Sequence, residues 1–199
     1  MKMVPSKASL HLAALLAAIP LVPALAHTGT GLASGLESGF LHPLTGPDHL
    51  VAMVAVGLWG AQLGAPAIWL LPVTFPMVMA FGGFLGLIGI PLPGVEIGIA
   101  VSGVLLGAAV LLEFKAPLWL AAMLVGVFGM YHGHAHGAEL PPGEDGLLYS
   151  LGFVLATGAL HAAGIAIGTV HRWNWGRLAL RLAGAGISLG GVAFLVEAL

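Results

Sequence analysis

The sequence predicts a polytopic all-α membrane helix bundle, and three observations carry that reading. Hydrophobic residues fill 59% of the 199 positions and charged residues only 7%. Soluble domains carry roughly 25% charged residues, so this chain has too few charges to cover a surface facing water. Mean hydropathy is +1.04, and the apolar residues fall in runs close to the ~20 residues a helix needs to cross hydrocarbon. Glycine is abundant at 31 residues, which suits close helix–helix approach in lipid. The regular ten-residue alternation of a transmembrane β-barrel is absent.

Other classes are excluded on the same grounds. There is no cysteine, which removes disulfides, thiolate metal sites and cysteine nucleophiles together. Net charge is −2 without a basic run, so nucleic acid is not an expected partner. The expected partner surface is the lipid bilayer.

Taken in order, the chain begins with Lys2 and Lys7, an apolar stretch over 8–22, and Ala24-Leu25-Ala26. This reads as a secretory signal peptide, 1–26, cleaved to leave His27 as the new N-terminus. The free amine and imidazole of His27 would then offer a chelating pair on the non-cytoplasmic side. The remainder, 27–199, reads as one six-helix membrane domain. The first span covers about 31–62 and is broken by Pro43 and Pro47, which lack an amide hydrogen; irregular backbone at membrane depth is tolerated where it lines a polar cavity. The second covers about 67–90. The third, about 95–112, follows the Pro91-Leu92-Pro93-Gly94 turn. The fourth, about 116–137, ends in a histidine cluster, and Pro141-Pro142-Gly143 opens a loop. The fifth covers about 147–170 and the sixth about 178–197, separated by His171-Arg172-Trp173-Asn174-Trp175.

Six spans with residue 27 outside put Lys115, Arg172, Arg177 and Arg181 on or near the cytoplasmic side. They put Glu139, Glu144 and Asp145 outside. That agrees with the positive-inside rule, and Trp173 and Trp175 suit an interfacial belt.

Ionisable groups at bilayer depth cost at least ~2.5 kcal/mol each and mark pathways or sites. Two segments concentrate them. His42-Pro43-Leu44-Thr45-Gly46-Pro47-Asp48-His49 holds two imidazoles and a carboxylate. His132-Gly133-His134-Ala135-His136-Gly137-Ala138-Glu139 holds three imidazoles and a carboxylate. His132, His136 and Glu139, at i, i+4 and i+7, share one face of a continuing helix, the logic of paired histidine ligands; His134 points to the opposite side. His161 lies mid-span in an apolar run. Glu96 and Glu37 are candidates near span ends. No buried lysine or arginine is available to pair with the carboxylates, and a bound cation would supply the counter-charge. Imidazole and carboxylate without thiolate suit nickel, cobalt, zinc or iron(II), and ligand type does not choose among them. There is no GxxxxGK[ST] loop for ATP. A dication moving inward gains roughly 4.6 kcal/mol per 100 mV, so the membrane potential suffices to drive uptake.

With these two motifs in place, the mature chain resembles the HupE/UreJ family of nickel/cobalt permeases. HPLTGPDH at 42–49 and YHGHAHGAE at 131–139 look like that family's two signatures, the second with Tyr131 in place of the usual phenylalanine. The resemblance implies uptake of Ni2+, sometimes Co2+, as transported substrate rather than prosthetic group. It also implies placement in the bacterial inner membrane and supply to a hydrogenase or urease. Metal handling would fall to His42, Asp48, His49, His132, His136 and Glu139. His27 and His161 are candidates from their positions alone, and His134, Glu96 and Glu37 are further candidates. The rival reading is an intramembrane metalloenzyme, a zinc or iron hydrolase or oxygenase using the same clusters. Against it, eight histidines beyond the leader are few for desaturase-type boxes, and no separate acid or base stands out. The sequence therefore reads as a permease and not as an enzyme.

Overall fold

A computed structural model describes residues 32–140 and 143–199; the expected signal peptide and His27 lie outside the described residues. All regular structure among them is helical: α1 (Leu32–Thr45), α2 (Pro47–Leu63), α3 (Ala67–Leu87), α4 (Val95–Leu111), α5 (Leu118–Ala138), α6 (Gly146–Gly168), a 3-10 turn (Thr169–Arg172) and α7 (Asn174–Glu197). Four segments are long and apolar enough to cross a membrane: α3, α5, α6 with its 3-10 turn, and α7. The apolar α4 is shorter. The expected first span is two helices of 14 and 17 residues meeting at Gly46.

Helix ends follow local chemistry. Asp145 caps α6 by accepting from the amides of Leu147 and Leu148 at 2.9 and 3.0 Å, satisfying donors that the first turn leaves free. Pro47 opens α2, where a missing amide hydrogen costs nothing. At the far end of α2, the Trp59 indole donates to Phe114 O at 2.9 Å and Gln62 Nε2 donates to Val110 O at 3.1 Å. The Lys115 ammonium donates to Gln62 O. These bonds tie α2 to the last turn of α4 and the connection after it.

Glycine sets how the helices pair. In α5, Gly129, Gly133 and Gly137 lie against the backbone at Phe75, Met79 and Gly83 of α3, in rising register, so the two helices run parallel. A Cβ at Gly133 would overlap the Met79 carbonyl, and one at Gly137 the Gly83 carbonyl. Likewise Gly39 of α1 meets Tyr149, and Gly57 of α2 meets His161, so α1 and α2 follow α6 one after the other along its length. Gly103 meets Gly191 while Gly107 meets Ser188 and Gly184, which makes α4 and α7 antiparallel. Such small-residue seams are how helices associate when lipid offers no hydrophobic contrast.

The centre of the bundle is α2, in contact with α3, α4 and α6. Trp59, Met53, Leu58 and Val56 of α2 are buried with Phe75, Leu71, Leu106, Val110 and Val125. The outer surface is apolar too: Val73, Met77, Phe81 and Phe84 of α3 and Leu182, Leu189 and Val196 of α7 are exposed. A helix apolar on every side belongs in lipid or a large core.

The seams give a direct comparison. A Cβ at Gly152 of α6 would overlap the Leu36 carbonyl, whereas one at Gly158 of the same helix meets nothing within 4 Å. Gly152→Ala should lower stability by about 1–3 kcal/mol, as overpacking does. Gly158→Ala should leave the midpoint of thermal unfolding in detergent unchanged or raised. Equal effects would show that the seam is not set by backbone approach.

Candidate metal site

The site begins with the break in the first span. Pro43 and Pro47 have no amide hydrogen to offer the carbonyls four residues earlier. Gly46 is extended at φ −85°, ψ 107°. Gly46 N–H and Thr45 Oγ1–H both donate to His42 O, at 3.1 and 3.0 Å, which closes the end of α1. A Cβ at Gly46 would stand 3.2 Å from Asp48 Oδ1 and 3.4 Å from His49 Nδ1, so glycine leaves room for that pair. Seven residues of continuous helix rise about 10.5 Å. Across the break, the His42 and His49 ring centres are 6.1 Å apart.

Helix α5 supplies the other half. His132 and His136 ring centres lie 4.7 and 4.4 Å from that of His49, and His136 lies 4.6 Å from His42. Four imidazoles from α1, α2 and α5 thus form one group. It is walled by Phe153, 4.0 Å from His136, by Phe75, 5.4 Å from His132, and by Tyr149, 6.0 Å from His42. His49, His132 and His136 are all buried.

Hydrogen bonds fix which nitrogens carry protons. His49 Nδ1–H donates to Asp48 Oδ1 at 2.9 Å. Ser102 of α4 spends its one hydroxyl hydrogen on Ile99 O at 2.6 Å, so at 2.9 Å it accepts from His132 Nε2–H. His49 Nε2, His132 Nδ1 and both His136 nitrogens are left buried without a partner. An unpaired buried polar group costs ~1–3 kcal/mol. Imidazole lone pairs oriented by a hydrogen bond on the opposite nitrogen are the usual arrangement for holding a divalent cation. Asp48 stands behind His49 in that role. Among the described residues no three His, Asp or Glu side chains already stand as a finished metal-holding set. The His42–His136 and His49–His132 rings meet edge to face at 85° and 87°, so gathering an ion requires the rings to turn.

The other sequence candidates lie elsewhere. His134 faces away from the group, and its Nε2–H donates to Ile90 O at 2.7 Å. His161 touches the Phe75 ring, at 5.4 Å, and is not in ring contact with the four histidines. The Glu139 amide still donates to Ala135 O at 2.9 Å, so the helical hydrogen-bond pattern of α5 reaches it. Glu139 is the exposed C-cap residue, and partial burial with Glu96 nearby raises its carboxyl above the usual range. Glu96 and Glu37 are exposed. A side cavity of about 320 Å³ between α3, α5 and α6, lined by Gly83, Gly133, Gly137 and Tyr149, reaches His136.

Sequence reasoning missed Ser102, Phe75, Tyr149 and Phe153. Ser102 had a signal: apart from Glu96 it is the one polar side chain in α4. The three aromatics had none, since their role exists only across helices.

Compared with known proteins, the family described as "HupE / UreJ protein" matches residues 12–194. Protein HupE of Rhizobium leguminosarum bv. viciae is 44% identical over 182 residues, 91% of this chain and 95% of that protein. No solved structure matches.

Ser102 carries a prediction. Ser102→Ala leaves His132 Nε2–H without an acceptor and should weaken cobalt(II) binding to the purified chain by about 10–100-fold, as loss of an outer-shell partner does. Ser102→Thr, which keeps the hydroxyl, should restore most of it. Wild-type affinity in Ser102→Ala would mean His132 does not depend on this bond.

Proposed function

This chain belongs to the HupE/UreJ family, and from that premise we propose that it is a permease carrying Ni2+, sometimes Co2+, into the cell across the inner membrane. The observation that carries the reading is the group of four imidazoles at the helix break, with buried nitrogens left unpaired. Neutral imidazoles replace the water ligands of an entering ion without adding charge. Asp48 and the mouth carboxylates Glu139 and Glu96 offset its positive charge.

In this reading the domain has six spans: α1 and α2 form one broken span and α4 a short one. His27, on the outer side after cleavage of residues 1–26, joins Glu139, Glu96 and Glu37 in collecting the ion. His42, His49 and His136 take it into the bundle, and His132 and His161 lie further along. Lys115, Arg172, Arg177 and Arg181 belong to the cytoplasmic end, where exposed Trp69, Trp119, Trp173 and Trp175 form an interfacial belt. The imported metal supplies maturation of a hydrogenase or urease. Broken backbone at membrane depth fits a transport site, because it is tolerated only where it lines protein or a cavity.

The test is radioactive nickel uptake in cells lacking their own importers, at matched membrane abundance. Wild type should accumulate nickel above empty vector. His42→Ala and His136→Ala should each reduce accumulation at least ~tenfold, the scale of losing about 1.4 kcal/mol of ion binding. Accumulation that survives both substitutions would contradict this path.

A further inference from the structure

His161 is a buried ionisable group that the four-imidazole site leaves unexplained. It is 1% exposed, in the middle of α6. Its Nδ1–H donates to Pro72 O at 3.3 Å. That carbonyl is free because the residue four positions on is Pro76, which has no amide hydrogen to give it. The bond sets the tautomer and leaves the Nε2 lone pair buried with no partner. A histidine kept for packing alone would bear that cost for nothing.

What surrounds it is chemically distinct from the outer site. Thr157 lies one turn before His161 on the same face of α6, and its hydroxyl donates to Met53 Sδ at 3.4 Å. Both Thr157 and Met53 are fully buried. Met53 lies one turn beyond His49 on α2, and Gly57, one turn further, lets α6 approach at His161. The Phe75 ring touches both levels, its centre 5.4 Å from that of His132 and 5.4 Å from that of His161.

We infer that His161 Nε2, with the Met53 thioether and the Thr157 hydroxyl, forms a second, inner station for the divalent cation, distinct from the four-imidazole group. The inference rests on the permease reading above. One imidazole with a thioether and a hydroxyl is a poorer and softer ligand set than four imidazoles. An inner station should be weaker, because conduction needs sites that release their ion as well as bind it.

The test is a cobalt(II) titration of the purified full chain in detergent, read by visible absorption. Wild type should bind a tight ion and then a weaker one. His161→Gln should lose the weaker ion and keep the spectrum of the tight one. Met53→Leu, a volume-conserving change that leaves the packing in place, should weaken the second ion by about tenfold, within the range seen for altered metal surroundings. Two ions of unchanged affinity in either variant would overturn the inner station. So would a wild type that binds one ion, lost in His136→Ala; in that case the permease reading stands. A wild type that binds no cobalt or nickel would overturn both. If His161→Gln does not fold, Met53→Leu decides alone.

Discussion

An α-helix cannot run through Pro43-Leu44-Thr45-Gly46-Pro47 unaltered, because both prolines withhold a donor and the pyrrolidine ring collides with the preceding turn. The chain answers by ending one helix at Thr45 and starting another at Pro47. The rest of the site depends on that interruption. It leaves the His42 and His49 rings 6.1 Å apart, sets Asp48 against His49, and places these three groups where α5 can add two more imidazoles. Helix α6 stabilises the break from the side. It packs against α1 with one half and α2 with the other, so the two pieces keep a common direction.

The same economy shapes the α5 signature. His132 and His136 precede Gly133 and Gly137, each pair four residues apart. One residue of helix is about 100° of rotation. The histidines therefore look toward the break while the glycines lie against α3. Had either glycine a side chain, α5 would move away from α3 and carry its imidazoles with it. Packing and chemistry are thus set by alternate residues of one segment.

Much of this was legible from the residues. The span limits read from hydrophobic runs agree with the observed helices to within about four residues, because apolar length and proline placement are local signals. The two histidine segments and the break at Gly46-Pro47 were visible for the same reason. Ser102, Phe75, Tyr149 and Phe153 were not, since nothing in α3, α4 or α6 alone records which helix lies opposite. The contact of one ring of α3 with both His132 and His161 is likewise recorded in no single helix.

The central claim is that imidazoles of α1, α2 and α5 gather one metal ion. Nickel K-edge X-ray absorption on the purified, nickel-loaded chain tests it most directly, because imidazole rings give a characteristic outer-shell scattering pattern. The account predicts at least three imidazole ligands, falling when His136 is replaced by alanine. A shell made only of oxygen, or a pattern that His136→Ala leaves unchanged, would contradict it.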